Sequence, residues 1–176
     1  MNPQKFREFN EEVFYPRLSP LQLGPDDFSD LKKQASGNPR RRARICCHQS
    51  PKDVLHEMFI VHAKDCYVRP HKHVDKAESL HVLEGEADVI FFDAEGVITE
   101  AFPISASDPG TDNFYRLETG IYHSLIIRSE FLVFHEVTKG PFRADQTVFP
   151  EWAPKEGTDA QKRFTDEMNN RLGEYI

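Results

Sequence analysis

Cysteine is scarce in this 176-residue chain: Cys46, Cys47 and Cys66 are the three present. An odd number, two of them adjacent, is a poor framework for disulfides and fits a reducing compartment. None belongs to a C-x-x-C pair, so a thiolate zinc site lacks its usual spacing. Long apolar runs are missing too; none approaches the roughly 20 residues that a helical membrane span requires. The segment 1–14 mixes charges where a secretory leader carries its apolar core, so export is not expected. Basic charge is in deficit: 22 Lys and Arg stand against 29 Asp and Glu, for a net charge of −7. That balance disfavours a broad nucleic-acid surface, which needs a basic face to neutralise phosphates. Glycine is low at 9, while Phe reaches 14 and Pro 12, unlike a disordered chain. The expectation is one cytoplasmic domain with terminal additions, with no nucleic-acid and no membrane partner.

Three zones differ in texture. Residues 1–44 are polar and proline-punctuated and form an N-terminal extension, with a short helix expected from an Asp26 or Asp27 N-cap through Leu31 to about Ala35. They end in the basic run Arg40-Arg41-Arg42-Ala43-Arg44. An anion-binding patch or a nuclear signal is conceivable there, but a solvated entry to the first strand is the plainer expectation. Residues 45–142 form the barrel zone, with β-rich runs at about 8–12-residue spacing. The runs are Leu55–Ala63, Tyr67–His71, Ser79–Leu83, Ala87–Phe92, Val97–Ile104, Asn113–Leu117, His123–Ile127 and Phe131–Val137. No helical pattern alternates with them, which argues for two facing sheets in a jelly-roll barrel. Residues 143–176 form a C-terminal extension with a helix from about Asp159, Thr158 as N-cap, and an apolar stripe of Phe164, Met168 and Leu172. The stripe is expected to dock on the barrel or on a second subunit.

The histidines carry the chemistry. All eight lie in or at the entrance of the β-rich zone. His71 and His73 are two apart, so in a strand they share a face. Glu78 opens the following antiparallel run, Gly85 closes it in a tight turn, and His123 stands after Gly120 at the head of a later run. Three imidazoles and one carboxylate make a compact N₃O set for one divalent transition metal, Zn, Fe, Mn, Ni or Co. A set of four leaves coordination positions for water or substrate.

The segment His71-x-His73-x₄-Glu78-x₆-Gly85 resembles the first cupin motif, and Gly120-x₂-His123 resembles the core of the second. The wider stretches Arg42–Glu57, Tyr67–Gly85, Val89–Gly96 and His135–Phe142 are similar to the WbuC-type cupin metalloproteins, found with bacterial surface-polysaccharide genes. The resemblance implies a double-stranded β-helix and a divalent metal on His71, His73, Glu78 and His123. Three positions depart from the cupin pattern: Asp65 for a glycine, Glu118 for a proline and Ile127 for an asparagine. They shape turns rather than ligation.

Around that set the strand period places Arg69 and Tyr67 on the metal face as substrate-binding residues, with Arg69 suited to clamp a carboxylate or phosphate bidentately. A structural carboxylate partner for Arg69 is the competing expectation. Lys76, between His73 and Glu78, is a candidate gate. His135 and Glu136 point to opposite faces, and His135 is taken as the candidate catalytic base because imidazole titrates near neutrality. His56 and His62 share one face of their run and either could line the pocket, whereas His81 points away from it. Trp152 is expected to cover a barrel mouth or a subunit interface. The favoured function is isomerisation or epimerisation of a small-molecule substrate, a nucleotide-linked sugar, in bacterial surface-polysaccharide biosynthesis. An Fe(II)-dependent oxygenase and a non-enzymatic ligand-binding cupin are the alternatives. Exposed sheet edges argue for a homodimer.

Overall fold

Alternation of apolar and polar residues from Leu55 onward builds two sheets that face each other, as a computed structural model describing residues 1–176 shows. The strands are β1 (Phe6–Asn10), β2 (Val13–Pro16), β3 (Arg42–Cys46), β4 (Leu55–Ala63), β5 (Lys72–His73), β6 (Glu78–Glu84), β7 (Glu86–Phe92), β8 (Ile98–Ser105), β9 (Phe114–Leu117), β10 (Tyr122–Ile127), β11 (Phe131–Lys139) and β12 (Thr147–Val148). The α-helices are α1 (Pro25–Gly37) and α2 (Asp159–Leu172), and a 3-10 turn spans Ala144–Gln146. One sheet has seven strands in the order β1-β2-β3-β4-β11-β6-β9, the other three in the order β10-β7-β8, and β12 pairs with β5 in a small ribbon. Met58, Ile60, Leu80, Val82 and Phe134 from the large sheet meet Val89, Phe91, Leu125 and Ile127 from the small one. Each fully buried side chain of this size contributes about 1.5–3 kcal/mol, which favours the two-layer closure.

The strand β7 is buried on both faces. Ala87, Val89 and Phe91 enter the barrel, while Ile90 and Phe92 lie under the stripe of α2, Met168 and Leu172 with Phe164. Thr158 caps α2, its Oγ1 accepting from the Gln161 N–H at 3.3 Å. The expected stripe therefore docks on the barrel's small sheet. Trp152 joins this outer layer, 5.1 Å from the Phe92 ring with its Nε1–H donating to the Ala94 carbonyl at 3.0 Å. It covers the sheet's outer face and not a barrel mouth, because Gly96 leaves room there: a Cβ on Gly96 would stand 2.7 Å from the indole.

Residues 1–44 are woven into the large sheet. The strands β1 and β2 form a hairpin, β2 runs parallel to β3, and the basic run continues as β3 itself. The hairpin and β3 were not legible as strands, since their polar residues mask the alternation. The helix α1 starts at Pro25 with Gly24 as N-cap, earlier than Asp26 or Asp27. Proline suits the first helical position, and the Asp27 carboxylate reaches back to accept the Gly24 N–H at 2.8 Å. Its Leu31 and Ala35 pack on Ile45, Val61 and Val133 of the sheet's outer face. The run Tyr67–His71 is not a strand: only His71 pairs, in an isolated bridge to His123, and regular pairing begins at Lys72. Pro70 has no N–H to give a ladder, and Tyr67 and Arg69 bind C-terminal carbonyls instead. No helix is long and apolar enough to cross a membrane.

Candidate metal centre

The isolated bridge joins His71 and His123 directly: the His71 N–H donates to the His123 carbonyl at 3.1 Å and the reverse bond is 2.9 Å. Two chain segments 52 residues apart, at His71 and His123, are thereby locked side by side. The ribbon β5–β12 holds His73, and Gly120, at φ +84°, donates to the His73 carbonyl at 2.7 Å as the chain turns into β10. The strand β6 opens at Glu78 opposite Leu117 of β9 and Thr138 of β11. Gly85 then turns β6 into β7 at φ +84°, where a Cβ would lie 2.1 Å from the Phe131 carbonyl oxygen; only glycine fits.

The result is a tight cluster. One ring nitrogen from each of His71, His73 and His123 lies within 4.8 Å of the others. The carboxylate of Glu78 reaches two of them, Oε1 to His123 Nε2 at 3.0 Å and Oε2 to His73 Nε2 at 3.2 Å. The far nitrogens are also committed. His71 Nδ1 is 2.8 Å from the Arg69 carbonyl and His123 Nδ1 is 3.0 Å from the Ile121 carbonyl. A carbonyl oxygen only accepts, so each Nδ1 carries a proton and the Nε2 of each neutral ring presents a lone pair to the cluster. The Thr147 hydroxyl lies 3.2 Å from His73 Nδ1.

Electron-pair donors facing one another need a cation between them. Burial drives the His71 pKa down to about 3, with the nearby His123 adding to the effect, so His71 is a neutral donor. Burial also opposes charge on His123, but the Glu78 carboxylate overrides it and raises the pKa. Burial pushes Glu78 up, yet bonds from His123 and His73 hold it well below the usual carboxylate range. Without a metal, a proton shared with Glu78 satisfies the group; with one, the same four side chains offer an N₃O shell. The donor set fits a divalent transition metal, with neutral imidazoles oriented by carbonyl and hydroxyl partners behind them.

The cluster stands in a cavity of about 670 Å³ between the sheets. Cross-strand pairing decides which residues enter it. Met58 of β4 pairs with Glu136 of β11, which pairs with Leu80 of β6, itself opposite Tyr115 of β9. All four line the cavity. His135 therefore points the other way, which corrects its expected role as base. Its Nε2 lies 3.0 Å from Glu57 Oε1 and its ring 4.7 Å from Phe59, on the outer face. Glu136 takes the inward place: burial and the neighbouring Glu78 push its carboxyl up to about 7. Sequence parity separated the two residues but not which one turned in; only the register against Met58 decides that.

The other expected residues divide. Arg69 and Lys76 line the cavity. The guanidinium of Arg69 meets a backbone carbonyl and no carboxylate: Nε and Nη2 both donate to the Ala153 carbonyl, at 3.1 and 2.9 Å, and it stacks 4.7 Å over Phe149. Tyr67 departs from the expected metal face. It is buried away from the cavity with its hydroxyl donating to the Pro154 carbonyl at 3.1 Å, because the expected strand is absent there. His56 and His62 both line the cavity, on the face they share with Met58 and Ile60, and His81 is exposed with Asn113 as partner. Tyr115, Arg42 and Arg44 are cavity residues that single-strand reasoning missed. All three cysteines are free.

Residues 23–104, under half of the chain, match a family described as a domain of unknown function, DUF6016. No curated protein matches significantly. Among solved structures, the capsular polysaccharide assembling protein CapF from Staphylococcus aureus superposes with a TM-score of 0.53 and 15% identity over 65% of this chain. The chain spans 33% of the length of CapF. Protein SO0799 from Shewanella oneidensis superposes with a TM-score of 0.53 and 10% identity, covering 73% of this chain and 85% of that one. The fold is that of a cupin. At these identities the likeness is one of fold, and function has to be argued from the site.

Proposed function

We propose that the chain is a metal-binding cupin enzyme that isomerises or epimerises a sugar in bacterial surface-polysaccharide biosynthesis. The observation that carries this is the convergence of His71, His73 and His123 with Glu78 at one end of a cavity large enough for a monosaccharide. The similarity in fold to CapF, described as a capsular polysaccharide assembling protein, and the resemblance to the WbuC family support the polysaccharide context. A nucleotide-linked sugar is the proposed substrate, and a cytoplasmic homodimer the proposed form.

His71, His73, Glu78 and His123 would hold one divalent ion, Zn, Fe, Mn, Ni or Co, which supplies Lewis acidity toward a sugar carbonyl or vicinal oxygens. The chain's own residues would do the rest. Glu136, whose carboxyl burial and Glu78 push up to about 7, takes a proton from the carbon beside the carbonyl and delivers it to the former carbonyl carbon for isomerisation. Epimerisation would take the returning proton from a donor on the opposite face of the same carbon. Tyr115, whose phenol burial keeps protonated, can donate a hydrogen bond from the adjoining wall. Lys76 stands on the cavity wall to meet incoming substrate. The Phe149 ring stands 5.9 Å from that of His71, at the side of the cluster.

Two measurements test the reading. Metal analysis of the purified protein is expected to find one transition metal ion per chain, removed by His71→Ala. Incubation of the metal-loaded protein with a dTDP-4-keto sugar in deuterium oxide is expected to place solvent deuterium on the sugar ring. Stoichiometric metal with no deuterium uptake would defeat the enzymatic half and leave a binding cupin.

A further inference from the structure

The strand β3 reads Arg42-Ala43-Arg44-Ile45-Cys46, and its pairing with β4 sets Arg42 opposite His62 and Arg44 opposite Ile60. His62 and Ile60 face the cavity, so both guanidiniums face it too. The basic run expected as a solvated entry is thus one wall of the cavity. Arg40 and Arg42 have their charge answered: Glu12 accepts from Arg40 Nη1 at 3.2 Å and from Arg42 Nε at 3.1 Å. Arg44 differs. The one side-chain hydrogen-bond partner of its guanidinium is the Met58 sulfur at 3.9 Å, a weak acceptor. Beside it, His62 is buried with its Nδ1 lacking any partner. The remaining N–H groups of this half-buried guanidinium open into the cavity, next to the orphaned imidazole nitrogen of His62, where a ligand's oxygens can meet them.

The backbone of this wall is set apart from the histidine cluster along the strand, while the Arg44 side chain leans back as far as Met58, in the row of Glu136. On β4, His56 lies in the row of Thr138 and Glu78, and Ile60 in the row of Arg44, four residues or about 13 Å further along the strand. We propose that Arg44, flanked by Arg42 and His62, is a docking point for an oxyanion of the substrate, a carboxylate or a phosphate held by the guanidinium fork. The inference rests on the sugar reading and narrows it: the substrate is an anionic sugar, with its charge at the β3 wall and its reacting carbon toward the histidines. Arg69 cannot share the task equally, since two of its donors already serve the Ala153 carbonyl.

The test is calorimetric titration of the zinc-loaded protein with galacturonate, glucose 6-phosphate and glucose, beside its Arg44→Gln and Arg44→Lys variants. The wild type is expected to bind at least one of the two anions and to ignore glucose. Which anion binds separates carboxylate from phosphate. Arg44→Gln is expected to weaken that binding about tenfold or more, the worth of one or two charge-assisted hydrogen bonds. Arg44→Lys should lose less, since it keeps the charge and gives up the fork. Binding of glucose as tight as that of both anions, binding of neither anion, or unchanged anion affinity in Arg44→Gln would each overturn the proposal. If Arg44 serves only to bias Glu136, the variant shifts the pH profile and spares anion affinity, which also overturns it. Zinc content measured on the same samples keeps the two readings apart. Full zinc with no anion dependence sinks the oxyanion site alone, and Arg44-dependent anion binding without zinc sinks the metal centre alone.

Discussion

The two ends of the cavity are built from opposite chemistries. At one end three imidazoles and the Glu78 carboxylate turn lone pairs and negative charge toward a common point. At the other, Arg42 and Arg44 gather N–H groups and positive charge, only partly answered by Glu12, beside a His62 ring that burial and Arg44 keep neutral. Lone pairs call for a cation and free donors call for an anion. A ligand that satisfies both ends must itself be polarised, with an oxyanion at one extremity and an oxygen able to approach a metal at the other. Glu136 sits between them on β11, pushed up by burial and Glu78 and pulled back by Arg44. The proposed proton transfer would use that place between two fields of opposite sign.

The sharpest way to break the comparison is to delete one end. His123→Ala removes a donor and half of the Glu78 grip; metal content and turnover are expected to fall to background while galacturonate or phosphate binding at Arg44 persists. Elemental analysis and calorimetry on one preparation check both. Loss of both together would mean that the ends are not independent. Next in size, Glu136→Gln is expected to cost about 10²–10⁴-fold in deuterium exchange, the usual worth of a positioned acid or base, with metal retained. His135→Gln should exchange normally, because His135 faces Glu57 on the outer surface. If the two variants behave alike, the inward assignment is wrong.

Smaller effects sharpen the picture. Thr147→Val removes the hydroxyl behind His73 and is expected to weaken metal affinity by about 10–100-fold, measured by competition with a chelating dye. The smallest effect is on stability. The Glu136 carboxyl titrates near 7 when folded and near 4.5 in an ordinary carboxyl, so below about 4.5 both states are protonated and folding bears no cost. As pH rises from 4.5 to 7 the unfolded chain ionises first, and stability falls. Glu136→Gln removes that loss, so chelator-treated variant and wild type should melt alike at acid pH and diverge above it, with the variant higher. For a chain of this size each 1 kcal/mol moves the midpoint by about 2–4 °C. A wild type that melts higher than the variant at pH 8 would contradict the burial of this carboxyl.

Legibility followed the distance between partners along the chain. The strands β4, β7 and β10, the stripe on α2 and the cap at Thr158 all rest on local alternation or capping, and they stand within a residue or so of where the pattern put them. Tyr67–His71 reads equally well as alternating β sequence. It fails as a strand because Tyr67 and Arg69 are captured by carbonyls of Ala153 and Pro154, more than eighty residues away. The role of the basic run is hidden for a similar reason: Arg42 and Arg44 look like solvated charges until β4 fixes which side of the sheet they occupy.

Sequence alone pointed to the neighbourhood of His71, His73, Glu78 and His123, because the first three fall within one hairpin's reach and the spacing of Gly120 and His123 marks a second turn; their use as metal ligands is a proposal. Tertiary structure alone decided that Glu136 turns inward and His135 outward, and that a string of arginines walls a cavity. A strand's two faces are equivalent until another strand is laid beside it, and only that pairing breaks the symmetry.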